Sequence, residues 1–92
     1  MNKGELIDAI AIKVSGIATK KVIDTILSAA IDSIIDSVAD GDHVTLIGFG
    51  SFNSRQRAER EGRNPRTGEK MIIPHATVPT FSAGKLFKDK VN

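Results

Sequence analysis

Residues 54–63 carry a single apolar side chain, Ala58, and that stretch limits what the rest of the chain can build. A strand joins a core by burying at least one face, and these residues have no face to bury. Residues 51–61 nevertheless alternate as a strand, and residues 69–78 read as a returning strand. Between them Gly62-Arg63-Asn64-Pro65-Arg66-Thr67-Gly68 has the composition of a turn. The expected product is a hairpin that projects into solvent or onto a partner. Its eight residues 55–62, fully extended, would reach about 25 Å. An isolated two-stranded ribbon is marginal in water, so the tip is expected to be mobile until something binds.

Charge sharpens the point. Residues 1–42 hold four Lys against seven Asp and Glu, a net of −3, whereas residues 43–92 hold nine Lys and Arg against four acids, a net of +5. All five Arg fall between Arg55 and Arg66, opposed there only by Glu59 and Glu61. A polyanion is the natural partner of such a segment, and a solvated charged loop is the plainer alternative. Arg55 and Arg57 are expected on one face of the outgoing strand, with Arg60 on the other unless a bulge intervenes. Arg63 and Arg66 flank the tip. Guanidinium forks suit phosphates and narrow minor grooves, and a two-stranded ribbon can enter a DNA groove as a unit. Pro65 has two readings on residues alone. It is an ordinary second turn residue, or an apolar wedge of the kind that minor-groove proteins push between base steps.

The remainder must supply the core. Ninety-two residues allow one domain, without Cys, Tyr or Trp and with four Phe. A first helix is expected over residues 3–14, capped by Asn2 with Glu5 three residues on and ended by Gly16. A second starts after Thr19 and ends at Gly41. Its apolar residues come as doublets, Val22-Ile23, Ile26-Leu27, Ala30-Ile31, Ile34-Ile35, then Val38. A four-residue repeat drifts by about 40° per step around a helix, so the stripe meets neighbours on more than one side. Residues 43–47 read as a strand, and Gly48-Phe49-Gly50 as a turn with a buried aromatic. Pro74 and Pro79 make part of the return strand an edge. Ser82 is expected to cap a last helix from residue 83 to about 90 that carries Leu86 and Phe87 inward. A lone chain of this size would leave part of the second helix uncovered, and two-fold pairing is the common remedy.

Other chemistries find little support. His43 and His75 are 32 residues apart with no Cys to join them, so no metal site is expected, nor any cofactor. Gly48-x-Gly50 lacks the third glycine of a dinucleotide loop, since position 53 is Asn53. No nucleophile arrangement marks an enzyme or a small-molecule substrate. The Asp residues of the second helix are its wet face. No signal-like start and no membrane-length apolar run is present, which with the absence of cysteine fits a cytoplasmic protein.

Gly48-Phe49-Gly50-Ser51-Phe52, then Arg55, Arg57, Arg60 and the 62–68 turn, resemble the signature of the bacterial histone-like HU and integration host factor family. Met1-Asn2-Lys3 and the run 78–85, Val-Pro-Thr-Phe-Ser-Ala-Gly-Lys, match it as well, so the similarity spans the chain in order. The resemblance implies an α+β fold: an N-terminal helical pair, a three-stranded antiparallel sheet with a long protruding β-arm, and a short C-terminal helix, in an intertwined dimer. It implies one domain, 1–92, with a helical dimerisation part at about 1–42, a β-saddle and arm at about 43–81 and a C-terminal helix at about 82–92. By the same resemblance the arms wrap the minor groove of duplex DNA and Pro65 intercalates. Arg55, Arg57, Arg60, Arg63 and Arg66 become groove and phosphate contacts, and Asn64 lies near base edges. Lys3, Lys85 and Lys88 become flank contacts. Ile31, Ile34, Phe49, Phe52 and Phe81 take core and dimer-interface places. The implied protein is a nucleoid-associated homodimer that is no enzyme, bends DNA with little sequence preference, and favours bent, nicked or A·T-rich sites. A site-specific subunit of the integration host factor type is the alternative within the family. A single-strand binder is disfavoured by the absence of stacking aromatics in the arm.

The chain departs from the family pattern in three places. The connection over residues 14–21 is about two residues longer than usual. Glu59 and Glu61 put negative charge in the arm, and Pro74-His75 stands where small residues are common and is expected to kink the return strand.

Overall fold

The computed structural model describes residues 1–92. The chain divides into two compact units, Met1–Asp36 and Ser37–Asn92. No helix is long and apolar enough to cross a membrane.

The first unit holds α1 (Lys3–Lys13) and most of α2 (Lys20–Ala39). Asn2 is extended, and its side-chain oxygen accepts from the Glu5 amide at 2.9 Å, satisfying one of the amides that a helix start leaves unpaired. Thr19 does the same for α2 by accepting from the Val22 amide at 3.3 Å. Two cross-helix ion pairs tie α1 to α2, Lys3 to Asp24 at 3.1 Å and Lys20 to Asp8 at 2.9 Å. The positive φ of Gly16 and Gly41, 80° and 87°, marks the two stops expected from sequence.

The second unit is built on a three-stranded antiparallel sheet, β1 (Val44–Leu46), β2 (Gly50–Arg57) and β5 (Ala76–Ala83), in the order β1-β2-β5. β5 is an edge, and Pro79 is accommodated there opposite Ser54. Beyond the sheet a ribbon forms from β3 (Arg60–Arg63) and β4 (Lys70–Ile73), and α3 (Lys85–Val91) closes the chain. Phe52 sits opposite Phe81 with ring centroids 4.8 Å apart, and Phe49 stacks on Phe87 at 5.5 Å. These four rings replace the core that a chain without Tyr or Trp must build from little else.

Three expectations are corrected. Ser82 does not cap the last helix: β5 continues through Ala83, so Ser82 pairs with Ser51, and α3 starts only after Gly84, whose amide is held by the Phe49 carbonyl at 2.8 Å. Phe49 is not buried within one chain but 42% exposed: its ring packs on Phe52, Phe81 and Phe87, and Phe81 is itself 42% exposed. Leu86 is not carried inward either and stays 68% exposed. Ile23 is the single buried apolar side chain of the whole protein.

Candidate nucleic-acid interface

The arm is one hairpin in one register, although its ladder is interrupted. Arg57 pairs with Ala76, and three residues further along each strand Arg60 pairs with Ile73. Equal numbers of residues lie on the two sides of the gap, so there is no bulge. The unpaired residues are Ala58 and Glu59 on one strand and Pro74 and His75 on the other. Pro74 has no amide hydrogen to give, which explains where the ladder lapses. With the register kept, strand alternation sets Arg55, Arg57, Glu59, Glu61 and Arg63 on one face, and Arg60 on the other.

The Arg60 face of the ribbon is compact. Gly62 stands opposite Met71, and a β-carbon there would come within 3.0 Å of the Ile73 side chain. Ile73 thus lies over the glycine. The opposite face pairs Glu61 with Ile72 and Arg63 with Lys70.

The tip is closed by Asn64. Its amide donates to the Glu69 carbonyl at 2.9 Å, its carbonyl accepts from the Gly68 amide at 2.7 Å, and its side-chain oxygen accepts from the Arg66 amide at 2.9 Å. Thr67 Oγ1 accepts from the Glu69 amide, and Gly68 supplies the positive φ of 73° that completes the turn. Pro65 follows Asn64, where its fixed φ suits a turn and its missing amide leaves nothing unpaired. The ring is exposed at the far end of the arm.

Four of the five arginines, Arg55, Arg60, Arg63 and Arg66, are exposed. Arg57 is half-buried, and its Nε is shielded without a protein partner. The two Lys–Asp ion pairs of the chain join Lys3 to Asp24 and Lys20 to Asp8, and His43 Nδ1 lies 3.7 Å from Asp42, so Glu59 and Glu61 pair with none of the arm arginines. The only hydrogen bond from an arm guanidinium is a long one, Arg63 Nη1 to the Gly68 carbonyl at 3.4 Å. Lys85 and Lys88 lie exposed on α3. Lys3 differs from them, since it holds Asp24 and also donates to Ser28 Oγ at 2.6 Å. Ile31 and Phe81 are exposed, and Ile34 and Phe52 half-buried.

Three arm residues go beyond the sequence expectation. Lys70 adds a sixth cation, directly across from Arg63. Met71 and Ile72 are exposed apolar side chains on the returning strand, with Ile72 65% exposed. The signal was the run Met71-Ile72-Ile73 in the return strand, which a search of the outgoing strand alone does not meet.

The family model described as bacterial DNA-binding protein matches residues 1–92. The DNA-binding protein HU of Nostoc sp. is 63% identical over 91 residues, covering 99% of this chain and 95% of the relative. Among solved structures, an Anabaena HU–DNA cocrystal structure superimposes with a TM-score of 0.93 at 63% identity, over 99% of this chain and 97% of that one. HU from Thermotoga maritima superimposes at 0.69 with 33% identity over the full length of both chains.

Proposed function

This chain belongs to the bacterial DNA-binding protein family, and on that premise we propose that it is an architectural protein that grips duplex DNA in the minor groove and bends it. The family is one of DNA binders and not of enzymes. The observation that carries the reading is the arm: a projecting hairpin whose cations are unpaired by its own acids and whose tip exposes a proline.

Two energy terms follow. Arg55, Arg57, Arg60, Arg63, Arg66 and Lys70 neutralise phosphates and release counterions, so affinity falls steeply with salt. Pro65 enters a base step, at a cost of a few kcal/mol of unstacking that contacts along the bent duplex offset. Asn64 spends its oxygen on the tip turn, so its amide nitrogen is the atom left to meet a base edge. Lys85 and Lys88 extend the contact along the flanks. Lys3 joins them only by leaving Asp24 and Ser28. Because the grip depends on deformation rather than on base reading, bent, nicked and A·T-rich duplexes bind best.

The acting species is a homodimer. One chain of 9.9 kDa exposes 7660 Å², where a folded monomer of that mass exposes about 5,200 Å². Part of the difference belongs to the projecting arm, and the rest is apolar surface of the kind that obligate interfaces remove. Ile31, Phe49 and Phe81 are among the apolar side chains left exposed, and with Ile34 and Phe52 they are the places for a second copy to cover. Within the cell such a protein is cytoplasmic and nucleoid-associated.

Gel-shift binding to random, A·T-rich and nicked duplexes across a salt series tests this reading. Binding to all three, tightest for the nicked duplex and weakening steeply with salt, is expected. Binding confined to one sequence, or to single strands, would refute it.

A further inference from the structure

The protein has two histidines, and one of them stands in the arm. His43 lies outside it, with Nδ1 3.7 Å from a carboxylate oxygen of Asp42. His75 is exposed and engages no hydrogen bond or ion pair. It occupies the gap between the two ladders, at the register position opposite Ala58. The residue across from it is therefore small, and no backbone pairing locks it in place. Strand alternation sets it on the same face as Arg60 and Ile73. The charged groups around it are Arg60 on its own face, and Arg57 and Glu59 on either side of Ala58.

We propose that His75 is a proton-gated phosphate contact, which as imidazolium adds one positive charge per arm and tightens DNA binding on the acid side of neutrality. The inference rests on the proposed grip of the arm on duplex DNA. Histidine is the side-chain type that ordinarily changes charge between pH 5 and 8. The charges already around His75 are of both signs, whereas a duplex laid along the arm brings phosphates of one sign. Bound DNA therefore favours the protonated form, and by linkage proton uptake favours bound DNA. Its short side chain reaches only groups pressed against the middle of the arm, on the face that it shares with the exposed Arg60.

Fluorescence anisotropy with a labelled nicked duplex tests this, with salt titrations at about pH 5.5 and about pH 8, on either side of the imidazole range. The wild-type protein is expected to bind several-fold tighter at the lower pH. The slope of log affinity against log salt should steepen there by about 0.9 for each arm engaged. His75→Gln should lose both differences, His75→Lys should bind tightly at both pH values, and His43→Gln should respond as the wild type does. A pH response that survives in His75→Gln would overturn the proposal, as would a wild-type protein that binds with steep salt dependence but equally at both pH values. Absence of salt-dependent duplex binding at either pH would instead overturn the arm reading itself, and this contact with it.

Discussion

Gly50 faces Phe81 so closely that a β-carbon there would lie 2.6 Å from the ring's Cζ and 2.5 Å from the Ser82 carbonyl oxygen. The site is buried at the start of the middle strand, where Gly50 meets Leu46 on one side and Ala83 on the other. Neither the backbone nor the clustered ring can step aside cheaply. Gly50→Ala is expected to destabilise the fold by about 1–3 kcal/mol. A thermal melt at fixed chain concentration should fall by about 4–8 °C per kcal/mol, and an unchanged midpoint would mean that the sheet shifts to accept the methyl.

Much of the fold was legible in the sequence because each element carries its own local signal. Asn2, Thr19, Gly16 and Gly41 mark helix ends by chemistry that acts within a few residues. The arm was legible for the opposite reason, its lack of anything to bury. Ser82 misled because a serine before a helix is a good cap only if the strand before it has ended, and the pairing of Ser82 with Ser51 is set by residues 31 positions away. Phe49 and Leu86 misled because an apolar side chain next to a turn or on a helix carries no local sign of how far one chain covers it. The ladder gap shows both sides: Pro74 announced an interruption, but that the register survives it depends on equal strand lengths that only the pairing reveals. Charge and projection point the arginines from Arg55 to Arg66 at a polyanion, while their groove and phosphate roles and the wedge role of Pro65 come from family resemblance.

The cap on α1 gives a local test. Asn2→Ala removes the oxygen that holds the Glu5 amide and should cost about 1 kcal/mol. Denaturant unfolding should show a lower midpoint at unchanged slope.

Pairing of two chains is tested by sedimentation at micromolar concentration. A dimer is expected, because one buried apolar side chain is too few to hold a stable monomer. A folded monomer would contradict it.

The arm cations are tested by salt dependence. Arg60→Ala and Arg63→Ala should each weaken binding and flatten the log–log salt slope by about 0.9 for each phosphate left without its cation. An unchanged slope would mean that those side chains miss the phosphates.

A proline wedge at the arm tip bends the duplex that it enters, and the end-to-end distance of a short duplex labelled for fluorescence energy transfer reads that bend. The wild-type protein should shorten that distance, and Pro65→Ala, which leaves the Asn64 hydrogen bonds of the tip in place, should bind with a clearly smaller bend. The same shortening by both proteins at saturation would mean that Pro65 is not the wedge.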